Sequence, residues 1–193
     1  MIVVNRENQL SQMFYGQDIA LHYEQEKFTT KLEQALYEIV RRQGKIKLVV
    51  SFLPCEQFGI PIVNVINVPV EELILESGNY FLGPGASGVR QLRVKSEDVI
   101  LNSSDGLYVE NLFVDYYNTS YDPVSLQTFS ITNLHLNLYG QNVDLRNKFN
   151  CENLYLETTG NHGQVYVTLD RVENVFYNPD SIIFVYPKRR RMI

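Results

Sequence analysis

The sequence predicts a mainly β chain. A parallel β-solenoid of about six coils is expected over residues 70–187, behind an N-terminal helical or mixed cap over 1–69 and before a basic tail over 188–193, as one folding unit. Three observations predict it. One spacing, apolar-x-x-apolar-x-apolar, recurs in Val70, Leu73, Leu75; Val89, Leu92, Val94; Val109, Leu112, Val114; Ile131, Leu134, Leu136; Cys151, Leu154, Leu156; and Val172, Val175, Tyr177. The central residues of these motifs are 19, 20, 22, 20 and 21 residues apart. The composition, with 13 Tyr and 10 Phe, 0 Trp and abundant Val, Leu and Ile, favours strands, and 193 residues suffice for one domain with a sizeable core.

Residues 1–45 read as helical, most clearly over 30–43. Thr30 and Glu33 form a capping-box pattern, in which the hydroxyl and the carboxylate each satisfy a freed backbone N–H. Leu32, Leu36, Ile39 and Val40 recur at helical spacing, Arg41 and Arg42 suit the negative end of the helix dipole, and Gly44 supplies the stop. The apolar stripe of this helix is expected to cover an open end of the solenoid. A weaker helix is expected over 6–15. Residues 46–52 read as a buried strand, and 60–68, punctuated by Pro54, Pro61 and Pro69, as one or two short strands.

From residue 70 a unit of about 20 residues cannot close its own core, so neighbouring units must stack and continue one apolar column. That column is Leu73, Leu92, Leu112, Leu134, Leu154 and Val175, with inward partners Leu75, Val94, Val114, Leu136, Leu156 and Tyr177. Leu107, Phe129 and Phe149 stand at a shared offset upstream, with Leu169 one residue further away in a fourth unit. A second apolar pair (Val99 with Leu101, Val143 with Leu145, Val165 with Val167) implies a strand on another side of the coil, and 83–88, 118–123 and 159–163 supply turns.

The spacing resembles the leucine-rich-repeat family, particularly its strand-rich bacterial members, over about residues 70–177. Where that family places a turn asparagine, five residues beyond each anchor, this chain has Gly78, Glu97, Tyr117, Tyr139, Thr159 and Asp180. Asn111, Asn133, Asn153 and Asn174 instead stand immediately before the anchor. A corner column of stacked asparagines resembles a parallel β-helix, since asparagine tolerates left-handed backbone and can bond its copies in adjacent coils. Both resemblances imply a solenoid.

Strand alternation turns the residue after each anchor outward, giving the column Ile74, Arg93, Phe113, His135, Tyr155, Phe176. The next outward column is Glu76, Lys95, Asp115, Asn137, Glu157, Asn178. Coils lie about 4.8 Å apart, so Phe113, His135, Tyr155 and Phe176 form an aromatic stripe bordered by Asp115, Asn137 and Glu157. Aromatic groups with a polar rim suit a protein partner. The alternative is that the stripe is covered as additional core. Asp115 and Glu157 also form a carboxylate pair at roughly glycosidase separation, with Phe113, Tyr155 and Phe176 as sugar platforms.

The other constellations point away from chemistry. His22, His135 and His162 are scattered and the two cysteines, Cys55 and Cys151, cannot build a four-ligand site, so neither metal nor cofactor is expected. Cys55 has no evident base, Cys151 falls on an inward position, and 83–88 lacks the Gly-Lys-Ser or Gly-Lys-Thr of a phosphate loop. The formal net charge is −5, of which Lys188, Arg189, Arg190 and Arg191 contribute +4, so the remainder carries −9. An acidic body disfavours nucleic acid except through the tail. No apolar run is long enough for a membrane helix, and the opening MIVVNRENQL lacks the basic start and apolar stretch of a secretory signal, which makes a reducing cytoplasmic setting the expectation and leaves the acceptor patterns at Asn102 and Asn118 without meaning.

The expected function is therefore a non-enzymatic protein-interaction module, of the kind a phage or mobile element uses against a host protein. A carbohydrate-binding or glycan-cleaving β-helix is the alternative, and a structural subunit that stacks open solenoid ends is a third.

Overall fold

The computed structural model describes residues 2–4, 18–23, 30–44, 46–52, 56–57, 60–95, 98–117, 124–139, 142–146, 148–159, 164–168, 172–178 and 182–186. In chain order the first elements are β1 (Ile2–Val4), β2 (Ile19–Tyr23), α1 (Thr30–Gln43), β3 (Lys47–Phe52), β4 (Glu56–Gln57), β5 (Ile60–Pro61), β6 (Asn64–Ile66) and β7 (Glu72–Leu82). There follow β8 (Val89–Val94), β9 (Val99–Ser103), β10 (Leu107–Tyr117), β11 (Phe129–Tyr139), β12 (Val143–Asp144), β13 (Cys151–Thr159), β14 (Gln164–Thr168), β15 (Val172–Tyr177) and β16 (Ile182–Tyr186). The main sheet runs β1-β2-β3-β7-β8-β10-β11-β13-β15, every neighbouring pair parallel. On other sides of the coil lie a second parallel sheet, in which the end of β7 pairs with β6 and β9, and a third, β12-β14-β16. Together they form a mainly β parallel solenoid of about 5 turns with a β-helix-like arrangement.

The motif alignment is the hydrogen-bond register. Leu73, Leu92, Leu112, Leu134, Leu154 and Val175 face one another across five successive strand pairs. The first five are 0% exposed, and burying each leucine contributes about 1.5–3 kcal/mol. Val99, Leu101, Val143, Leu145, Val165 and Val167 are buried as well, so the second apolar pair does build another wall of the same core. Leu107, Phe129 and Phe149 join them.

The three residues from the first apolar position to the anchor cannot alternate simply, because both ends of that step point inward. The ladder resolves this by skipping one position in each coil: Val109 pairs Ile131 and Asn111 pairs Asn133, while Glu110 and Thr132 are left out of the pairing. The same omission recurs at Glu152 and Glu173. These residues stand at a bend, and the asparagines just beyond it lie within continuous strands. None of the ladder asparagines has positive φ; among the described non-glycine residues only Asn142 does. Their stacking is as expected, but its cause is side-chain pairing alone, not tolerance of left-handed backbone.

Two expectations for the N-terminal third change. Residues 1–45 are not uniformly helical: β1 and β2 belong to the main sheet, which therefore continues upstream of residue 70, with Ile2, Ile19 and Leu48 extending the anchor register. The helix forms over Thr30–Gln43 as expected, ending where Gly44, at φ 82, donates its N–H to the Val40 carbonyl at 2.8 Å. It connects β2 to β3 and does not terminate the sheet, and its buried Leu32, Leu36 and Ile39 share one interior cluster with Leu48 and Leu73. The helix expected over 6–15, the turns at 118–123 and 160–163, and residues Cys55, His162, Leu169 and 187–193 lie outside the described residues.

A sharp corner divides β7 between the main and second sheets. Gly78 sits there at φ 107, and a Cβ would stand 2.4 Å from the Phe52 carbonyl oxygen, so only glycine fits. Buried Tyr80 pins the corner: its hydroxyl accepts from the Phe52 N–H at 3.2 Å and donates to the Ser77 carbonyl.

Candidate functional site

β8, β10, β11 and β13 place two outward columns side by side, and an open groove of about 410 Å³ runs over them. Arg93, Phe113, His135 and Tyr155 form one wall, and Lys95, Asp115, Asn137 and Glu157 the other. Val94, Val114 and Leu136 turn their side chains into the core, so they lend the floor their backbone. Six of the seven residues expected to bind a partner therefore come together. Phe176 does not line the groove and stands beyond it, at the end of the stripe.

The stripe is a stack of rings. Phe113 and His135 are 4.3 Å apart between centroids and 13° from coplanar, His135 and Tyr155 are 4.3 Å and 7°, and Tyr155 and Phe176 are 4.7 Å and 12°. These spacings are close to the parallel-strand repeat, because each ring leaves its strand at the same register position. The remaining face of Phe113 is taken by the Arg93 guanidinium carbon, 3.9 Å from the ring centroid. Both faces of Phe113, His135 and Tyr155 are thus occupied, and the half-buried rings offer the groove their edges. A sugar platform needs an open face, and of these rings only Phe176 has a face that no ring or cation among the described residues covers.

Upstream, the same column changes character. Ala20, Val49 and Ile74 stand in register with it and are buried as a separate small cluster, so Ile74, expected outward, does not belong to an exposed stripe. Arg93 marks the boundary. Its guanidinium also faces Glu72 at 3.5 Å and donates to Gln91 at 3.4 Å, while Lys95 lies 4.0 Å from Glu76.

On the opposite wall Asn137 donates to Asp115 at 3.2 Å and to the Tyr139 hydroxyl at 2.7 Å, and accepts from Thr159. It stands between Asp115 and Glu157, which are two strands and roughly 10 Å apart along the column. Neither carboxylate has a cationic partner among the described residues. His135 is held below the ordinary imidazole range, first by burial in the stack, then by the Arg93 charge, with Glu157 opposing. The ring is therefore neutral near pH 7, which suits its place between two aromatic faces.

Below the bend runs the amide ladder. Asn133 donates to Asn111, Asn153 to Asn133 and Asn174 to Asn153, each at 2.9 Å, and Asn111 donates to the Arg90 carbonyl at 3.3 Å. Cys151 is an inward core residue whose thiol burial pushes up to about 12, which makes it a poor nucleophile. Among the described residues no cluster of three or more His, Cys, Asp or Glu side chains could hold a metal ion, and no helix is long and apolar enough to cross a membrane.

Sequence reasoning passed over Arg93 and Lys95 as site residues, although both were visible in the two columns; the sign change from Lys95 to Asp115 was the available signal. Comparisons with protein-family models, with curated proteins and with solved structures found no match to the chain.

Proposed function

We propose that the chain is a non-enzymatic binding module that holds a protein partner in the groove across β8, β10, β11 and β13. The observation that carries this reading is the pairing of two unlike walls over one groove. Ring edges supply apolar area already fixed in place by stacking, so little side-chain entropy is lost on contact. The facing wall supplies graded polarity, from Lys95 to two carboxylates without a cationic partner among the described residues, which selects register and orientation. Closed ring faces weigh against a sugar stacking on the column.

The test removes both carboxylates without altering shape. Asp115→Asn with Glu157→Gln should keep the circular dichroism spectrum and urea midpoint of the parent chain while weakening capture of its partner from the native host at least tenfold. Unchanged capture would remove the groove from consideration. Cleavage of any glycan by the parent chain, lost in the same double variant, would instead make the carboxylate pair catalytic.

A further inference from the structure

Each column of the solenoid is a record of what one strand accepts from the next, and β15, the last strand of the main sheet, leaves the anchor, amide and ring columns with no further member among the described residues. The anchors in β7, β8, β10, β11 and β13 are 0% exposed, whereas Val175 in β15 is only partly buried. Its inward partner, Tyr177, is 51% exposed although the sequence pattern places it in the core. Asn111, Asn133 and Asn153 each accept an amide from the following coil, and Asn174 Oδ1 accepts none among the described residues. Phe176 stacks on Tyr155 through one face and is 48% exposed, with no ring or cation on the other face among the described residues. Among the described residues β15 is also the terminal strand of the main sheet, and no described strand pairs with the far side of its backbone, the side that can accept a further ladder.

We infer that β15 is a strand-addition site that takes a parallel extended segment of a partner protein, carrying a side-chain amide opposite Asn174, an apolar residue opposite Val175, and an arginine or aromatic residue opposite Phe176. This surface is separate from the groove, and the inference does not rest on the groove being occupied. The chemistry at each position is read from the chain itself. At the other end of the ring stack, β8 presents Gln91, Leu92 and Arg93 in those columns, and it is the Arg93 guanidinium that closes the face of Phe113. Main-chain pairing supplies general affinity for a strand, and the ring and amide columns supply selectivity. A second copy of this chain is a poorer occupant. The strand at the other end of its main sheet, β1, has Val3 at the ring-column register, so it offers neither a planar cation nor a ring to Phe176.

The experiment uses the whole chain, labelled with ¹⁵N, and a synthetic peptide reproducing residues 88–95. Amide shifts should concentrate on 172–177, and a peptide with Arg93→Glu should bind at least fivefold more weakly. Phe176→Leu, which keeps an apolar group but removes the π face, should weaken the parent peptide similarly while leaving the other amide signals in place. Absence of shifts in β15, equal binding of the two peptides, or shifts confined to Lys95, Asp115 and Asn137 would each overturn the assignment. Self-association of the chain that is abolished by Phe176→Leu would overturn it in favour of a second copy. None of these variants alters Asp115 or Glu157, so failure here leaves the groove reading standing.

Discussion

The Arg93 guanidinium lies 3.9 Å from the centre of the Phe113 ring and closes one face of a stack that continues through His135 and Tyr155 to Phe176. A flat cation over a ring, partly shielded from water, is worth about 1 kcal/mol. Arg93→Ala should therefore lower unfolding free energy by about that amount in urea titrations. Arg93→Lys keeps a charge toward Glu72 but loses the planar contact, and should fall between the two. Equal midpoints for all three proteins would show that the contact contributes nothing.

The amide ladder predicts a position-dependent cost. Asn133→Ala leaves Asn111 Oδ1 and Asn153 Nδ2 without their partners in half-buried surroundings, and should cost about 1–2 kcal/mol. Asn174→Ala breaks one contact at the exposed end, and should cost about 0.5 kcal/mol. Equal losses in chemical denaturation would mean that the ladder is decoration on an independently stable bend.

Acid should weaken the ring stack. Folding lowers the His135 pKa from its ordinary 6.5, through burial and the Arg93 charge against the opposing Glu157. The unfolded chain then binds more protons than the folded chain between the folded value and 6.5, so stability rises with pH across that window. It is complete above 6.5, falls as the pH drops through that value, and levels off below the folded pKa. Melting temperatures followed from neutral pH into the acid range should show this loss in the parent chain, and a smaller one in His135→Phe, which keeps a ring in the stack. Parallel curves for the two proteins would exclude His135 as the source.

Much of the solenoid was legible because its periodicity is enforced by contact between coils. An anchor such as Leu112 touches Leu92 and Leu134, so each must be apolar and in register, and the pattern survives in the sequence. The register failed to announce itself upstream because α1 and longer connections separate Ile2, Ile19, Leu48 and Leu73 by 17, 29 and 25 residues. There the residues following the anchors, Ala20, Val49 and Ile74, are themselves buried, which erases the alternation that marks a half-exposed strand. The aromatic stripe was visible as a column, and its neighbours Asp115, Asn137 and Glu157 with it.

The sequence alone determined which residues share a column, because stacking repeats one chemical choice at each coil. Only the tertiary structure decided how those columns meet the solvent. Strand spacing brings the rings face to face, so Phe113, His135 and Tyr155 present edges, Arg93 closes one end, and one face of Phe176 has no ring or cation over it among the described residues. A linear pattern records that an aromatic residue recurs, but ring orientation and the place where a stack stops are set by the distance between strands and by which strand is last.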